Sequence, residues 1–185
     1  MNLERGRNVS MSDLNVRFST GGEIELQEAI TLYGQALTRY CHNILCDYHE
    51  AEDVVQITFV KAYEKRTKFE AGTSLSSWLY RIAYTTCMDV IRKRKWLFFM
   101  PSQQSQQDSF MSEDLKEALS TLSVMERALI FGRIIEERDY QELEEIYQIP
   151  SATLRKRYER ARKKLSNQLC DRYLTPKGSV MIDEI

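Results

Sequence analysis

The chain has 185 residues, with 26 Lys or Arg against 27 Asp or Glu, so its formal net charge is −1. That balance by itself argues against a nucleic-acid-binding protein, which usually has a basic pI. No apolar run approaches the roughly 18 to 20 residues of a membrane span, and residues 1–12 lack the apolar stretch of a secretory signal. Four cysteines without a CxxC pair, together with only two histidines, favour a reducing cytoplasmic setting and predict no metal or cofactor.

The charges are segregated along the chain. Residues 23–53 carry seven acids and one base, and residues 61–95 carry nine bases and three acids. The alternation repeats, with ten acids and four bases over 113–145 and eight bases and two acids over 155–172. A single charged run is often a solvated helix face, but two basic blocks behind two acidic ones predict two separate anionic contacts.

Helical periodicity organises the first half. Residues 1–22 are polar and end in Ser-Thr-Gly-Gly, which predicts a disordered segment. Apolar residues then recur every three or four positions over 24–45, which predicts an amphipathic helix. A second predicted helix covers 50–68. A third starts after a cap at Ser74 and ends in the basic run 92–95.

The second half repeats the helical pattern after a break. Residues 97–112 are rich in Gln and Ser and predict a flexible linker. Two capping-box patterns, Ser123 to Glu126 and Asp139 to Glu142, predict the starts of two helices.

A last helix is predicted from a cap at Ser151 to about residue 168, followed by a loose tail over 171–185. No strand pattern is present. The predicted fold is all-α, with two small helical domains at 23–96 and 113–170.

The most specific motif lies between Tyr140 and Leu165. An amphipathic helix, a short break at 148–150 and a strongly basic helix form the layout of a helix-turn-helix, whose second helix places its N-terminal residues near base edges in the major groove. The basic helix has seven bases within residues 155–164, more than an ordinary surface helix needs, although a solvated basic face is the alternative. The candidate DNA-binding residues are Ser151, Thr153, Arg155, Lys156, Arg157 and Arg160.

These residues resemble a known family. The sequence YQELEEIYQIPSATLRKRYERARKKL over 140–165 is similar to region 4 of bacterial sigma factors, in the extracytoplasmic-function (ECF) group of the sigma-70 family. AEDVVQITFVKAY over 51–63 looks like region 2.2, and SLSSWLYRIA over 74–83 continues it towards region 2.4. Two motif blocks in the right order, covering about residues 23–169, are far more specific than a lone helix-turn-helix.

The resemblance implies a promoter-recognition factor without a catalytic site or small-molecule substrate. Its partners would be core RNA polymerase, through the β′ clamp and β flap, and promoter DNA. Many relatives are held off by an anti-sigma factor, so the resemblance also implies that partner, although no residue here identifies it.

The resemblance assigns a polymerase contact to region 2.2. Glu52, Asp53 and Gln56 would bind the coiled coil of the clamp, and an acidic face suits a basic partner. The alternative is a solvated first helical turn, where acids favour the helix dipole anyway.

The helix over about 74–95 would bind and melt the −10 element, since aromatic faces stack on bases and basic side chains follow the backbone. A flipped base would also need a pocket to offset its lost stacking. The implied −10 residues are Trp78, Tyr80, Arg81, Tyr84, Thr85, Asp89, Arg92 and Arg94. Trp78 also fits a core stripe with Leu75, Leu79 and Ile82, as do Tyr80 and Tyr84 to a lesser degree.

Five positions depart from the family pattern. Tyr84 and Thr85 stand where a basic residue and Asn are usual, which affects −10 specificity. Ile57 replaces a Glu, Glu144 replaces a small residue where two helices are expected to approach closely, and Gln148 replaces a frequent turn Gly.

Two other classes of function fit the sequence less well. An enzyme lacks support, because His42 and His49 would lie about 10 Å apart on one helix, too far to share a metal with bonds of about 2 Å. The second alternative is a two-domain helix-turn-helix regulator without a polymerase-clamp role, which the Asp53 to Gln56 motif and the aromatic helix disfavour.

Overall fold

The computed structural model describes residues 11–70, 73–97 and 113–174. Their regular structure is helical, as predicted. The eight α-helices are α1 (Met11–Arg17), α2 (Glu23–Leu45), α3 (Tyr48–Glu64), α4 (Leu75–Leu97), α5 (Glu113–Ser120), α6 (Val124–Ile134), α7 (Tyr140–Tyr147) and α8 (Ser151–Leu174). A short 3₁₀ turn at Arg66–Lys68 follows α3.

Local chemistry explains where the helices of the first half begin and end. Cys46 ends α2 in a left-handed conformation (φ 54°), and its N–H donates to the His42 carbonyl over 2.7 Å. The Asp47 carboxylate then accepts the Glu50 N–H over 3.0 Å and caps α3. The predicted cap at Ser74 is confirmed, since its hydroxyl accepts the Ser77 N–H over 3.2 Å.

The N-terminal segment differs from the prediction of disorder over residues 1–22. Residues 11–17 form α1, and Leu14 and Phe18 are fully buried against the first half. The sequence did not predict α1, because a helix of two turns with few core residues has almost no periodicity of its own. Residues 1–10 lie outside the described part.

The last helix extends further towards the C-terminus than predicted. Helix α8 continues to Leu174, so the predicted loose tail does not begin at residue 171. The rest of that tail, 175–185, and nearly all of the predicted linker, 98–112, lie outside the described residues.

The first helical unit, α1 to α4, and the second, α5 to α8, pack directly on each other. Helix α4 lies against α7, and α2 lies against α6. Leu37 and Leu79 of the first unit therefore belong to the same buried cluster as Leu129 and Leu143 of the second. A smaller cluster, with Leu119 and Ala161 at its centre, joins α5, α6 and α8.

Both predicted capping boxes are confirmed. In the first, the Ser123 hydroxyl and the Glu126 carboxylate each accept the other residue's backbone N–H. In the second, Asp139 and Glu142 do the same at the start of α7. Each box satisfies amides that a helix start leaves unpaired.

The close approach between helices is not at Glu144. It is at Gly132 of α6, where an added Cβ would lie 3.0 Å from Leu143 of α7. Glu144 is exposed, and its carboxylate accepts the Ser151 N–H over 2.8 Å. Glu144 therefore caps α8, in place of the cap predicted at Ser151. Gln148 adopts the left-handed conformation (φ 55°) that a glycine would take more easily.

Candidate nucleic-acid interface

The acidic surface predicted for a protein partner is accessible. Glu52, Asp53 and Gln56 are all exposed on α3, within its first three turns. Ile57 and Val60 continue this face with side chains that are 43% and 57% exposed. The face therefore combines carboxylates with an apolar strip, a composition suited to a partner that is both basic and apolar.

The basic surface predicted for duplex DNA is accessible as well. Leu154 and Ala161 are buried and pack one face of α8 against the rest of the second unit. The opposite face carries exposed side chains at the predicted positions, Thr153, Arg155, Lys156, Arg157 and Arg160, and Ser151 is half-buried. The Arg155 guanidinium lies 5.1 Å from the Tyr140 ring centre, which orients one of these bases.

Tyr80, predicted as a −10 contact, is instead buried between the two units. Its side chain is 1% exposed and its hydroxyl donates to Glu136 over 2.8 Å. The Arg138 guanidinium lies 3.9 Å from the ring centre and donates to the Ser76 hydroxyl over 2.8 Å. Burial raises the pKa of Tyr80, the Arg138 charge opposing that shift and Glu136 adding to it. We call this set, Ser76, Tyr80, Glu136 and Arg138, the polar latch.

Tyr84 is half-buried by the same packing. Its ring meets the Tyr147 ring edge-on at 4.9 Å, and its hydroxyl donates to the Met125 sulfur over 3.9 Å. The Tyr147 hydroxyl in turn lies 3.0 Å from that of Tyr40. Burial raises the pKa of both Tyr84 and Tyr147. In this arrangement Tyr80 is inaccessible to DNA, and Tyr84 is half-buried against Tyr147.

Trp78 lies in an aromatic cluster. Its ring centre is 6.1 Å from that of Phe18 and 5.2 Å from that of Phe69. The side chain is half-buried, so the core interpretation accounts for one side of the indole and leaves the other open.

The charged and polar residues of α4 divide into those that are exposed and those held by other side chains. Arg81 and Thr85 are exposed, although the Thr85 hydroxyl donates to the Arg81 and Ile82 carbonyls. Asp89 and Arg92 form an exposed ion pair of 3.1 Å.

Arg94 is tied back to the start of α3. It forms a bidentate pair with Glu50 and lies 3.6 Å from Asp47. Arg94 is therefore the least available of the predicted backbone contacts.

A pocket of about 320 Å³ opens beside Trp78. The first unit supplies Phe69, Ser77 and Arg81 to its lining, and the second unit supplies Glu145 and Gln148. The Ser77 hydroxyl is buried without a hydrogen-bond partner among the described residues. Aromatic faces beside an unused polar group can hold a small planar, polar ligand.

Sequence reasoning missed the latch. Glu136 and Arg138 sit in an acidic stretch without periodicity, and Ser76 lies between two core positions. No local signal marks these side chains, because their partners are about sixty residues away in the chain.

Two observations bear on other classes of function. In the described ranges no group of three or more His, Cys, Asp or Glu side chains could hold a metal ion. None of the helices in the described part is long and apolar enough to cross a membrane.

Comparison with known proteins indicates the family of this chain. Residues 29–97 match the family described as Sigma-70 region 2. The ECF RNA polymerase sigma factor SigW of Bacillus subtilis is 28% identical over 172 residues, which cover 82% of this chain and 92% of SigW. The chain belongs to the ECF group of the sigma-70 family. It is a transcription-initiation factor, and a regulator without a polymerase role is not favoured.

Solved structures extend the comparison for this sigma factor. The sigma factor RpoE of Bartonella quintana, in complex with the anti-sigma factor NepR, is 27% identical with a TM-score of 0.66, over 78% of this chain and 96% of RpoE. CnrH, in complex with the cytosolic domain of CnrY, has a TM-score of 0.69 at 22% identity, over 87% of this chain and 97% of CnrH. The latter supports the fold alone.

Proposed function

We propose that this sigma factor uses three separate surfaces. The exposed face of Glu52, Asp53 and Gln56 binds the β′ clamp of core polymerase, and the tip of the β flap binds the second unit. The exposed face of α8 reads the −35 duplex, and α4 binds and melts the −10 element. The observation that carries the proposal is that the α3 and α8 faces are both solvent-exposed in a chain that belongs to this family.

The −10 step requires the two units to separate. Tyr80 can stack on a base only after the 136–138 segment leaves α4, and the half-buried ring of Tyr84 becomes fully accessible once α7 leaves as well. Separation also removes Glu145 and Gln148 from the pocket beside Trp78. The opened pocket then receives one unstacked base, with Arg81 and Arg92 along the backbone.

The same sigma factor has no catalytic role in this proposal and acts in the cytoplasm, where core polymerase and promoter DNA are found. RpoE and CnrH are each solved with a bound regulatory protein. We extend that mode of control to this chain and propose an anti-sigma factor as a further partner.

Run-off transcription with purified core polymerase on genomic DNA, followed by mapping of start sites, tests the function. The expected result is a small set of start sites that share upstream elements and depend on the added chain. A chain that fails to co-purify with core polymerase, or that adds no start site, contradicts it.

A further inference from the structure

The segment that precedes α2 packs onto the walls of the pocket. Phe18, which is 1% exposed, meets Phe69 edge-on at 6.2 Å and Trp78 at 6.1 Å between ring centres. Both partners line the pocket. The position of each aromatic wall therefore depends on a residue that lies outside the loop and helix that form the pocket.

The same segment also caps α4. The Asn15 side-chain oxygen accepts the Leu75 N–H over 3.2 Å. This amide belongs to the first helical turn, where backbone donors have no partner within the helix. The local cap, Ser74, already accepts from Ser77. Asn15 thus completes the helix start from a distance of sixty residues in sequence.

A third contact holds the other end of the loop. The Arg66 Nε donates to the Gly21 carbonyl over 2.8 Å, and the Arg66 guanidinium lies 4.1 Å from the Tyr63 ring centre. The chain between Arg66 and Leu75 is therefore attached to the N-terminal segment at its entry and at its exit. Such attachment fixes a pocket wall more tightly than the loop could by itself.

We propose that Asn15 and Phe18 are positioning residues for recognition of the −10 base, because they fix the walls of the pocket that receives it. They touch no DNA in this role. The proposal rests on the proposed function, and it assigns to the N-terminal segment a task beyond filling the core.

The test uses holoenzyme assembled with full-length chain and a fork-junction DNA of a mapped promoter, either intact or with an abasic site at one −10 position. Asn15→Ala should weaken binding of the intact DNA by up to about fivefold, the limit reached when the whole stability cost of a lost cap falls on the pocket. It should leave binding of the DNA whose flipped base is absent nearly unchanged. Asn15→Asp, which keeps an accepting oxygen, should restore the difference between the two DNAs.

Two further variants separate positioning from folding. Phe18→Leu keeps most of the buried volume and should reduce the same difference, whereas Asp13→Ala, on the exposed side of α1, should not. Equal loss on intact and abasic DNA, or no loss at all with Asn15→Ala, overturns the proposal. A parent holoenzyme that fails to distinguish intact from abasic DNA at every −10 position overturns the base-pocket function itself, and this inference with it.

Discussion

Helices α4 and α8 have similar sequences in one respect, because each carries a run of bases along a helical face. Their surroundings differ. The basic side chains of α8 project from an exposed face. In α4, by contrast, Tyr80 is buried by the second unit, Tyr84 is half-buried against it, and Arg94 is paired with Glu50. Composition therefore marks a nucleic-acid surface, while packing decides when that surface is available.

The difference has a consequence for the order of events. The α3 and α8 faces can meet their partners without rearrangement, but α4 cannot. Binding energy gained at the two exposed faces can therefore be used to separate the units, provided that polymerase and promoter bind the open form better than the closed one.

Breaking the polar latch should have the largest effect. Arg138→Ala removes a buried cation–π contact and a charged hydrogen bond, which together amount to about 3 kcal/mol or about a hundredfold shift towards the open form. Free protein should then show faster amide exchange in α4 and tighter binding of a single-stranded −10 oligonucleotide. Arg39→Ala, on the exposed side of α2 and away from the proposed surfaces, is the charge-matched control. Unaltered exchange in α4 would show that the latch does not hold the units together.

The recognition helix should show an intermediate effect. Arg157→Ala removes one exposed basic side chain from α8. It should weaken holoenzyme binding to the −35 duplex about tenfold at matched salt, without a change in helicity. Arg39→Ala removes an exposed basic side chain from α2, away from the proposed surfaces, and serves as the control. Equal affinity of Arg157→Ala and the parent would count against the assignment of α8.

The acidic face should respond more modestly. Asp53→Ala should weaken binding to core polymerase about fivefold while leaving the helical content intact, because one exposed charge near an interface contributes little by itself. Glu64→Ala, exposed near the other end of α3, should change nothing. Co-purification of Asp53→Ala at the parent level would remove Asp53 from the contact.

The smallest effect concerns pH. Burial raises the pKa of Tyr147, so the closed form keeps a proton that an open form releases. The closed form should therefore be insensitive to pH below the ordinary tyrosine pKa of about 10 and lose stability as pH rises above it. The ultraviolet difference titration between the parent and Tyr147→Phe reports this group. A midpoint at or below the ordinary value would contradict the burial of this phenol in solution.

Local sequence patterns predicted most of the helices. The three- and four-residue spacing of apolar residues predicted α2, and the Ser123 and Asp139 boxes fixed the starts of α6 and α7, because these signals act within one or two helical turns. They failed for α1, because Leu14 within it and Phe18 directly after it form no periodic pattern, and the aromatic partners of Phe18 are Phe69 and Trp78, far away in the chain.

The sequence by itself determined the helical class, the family and the two accessible charged faces, since each depends on residues close together in the chain. Only the tertiary structure decided that Tyr80 and Tyr84 face the second unit, that Arg138 lies over Tyr80, and that Asn15 caps α4. These contacts join residues about forty to sixty positions apart. Their energies depend on burial and geometry, and no local pattern encodes either.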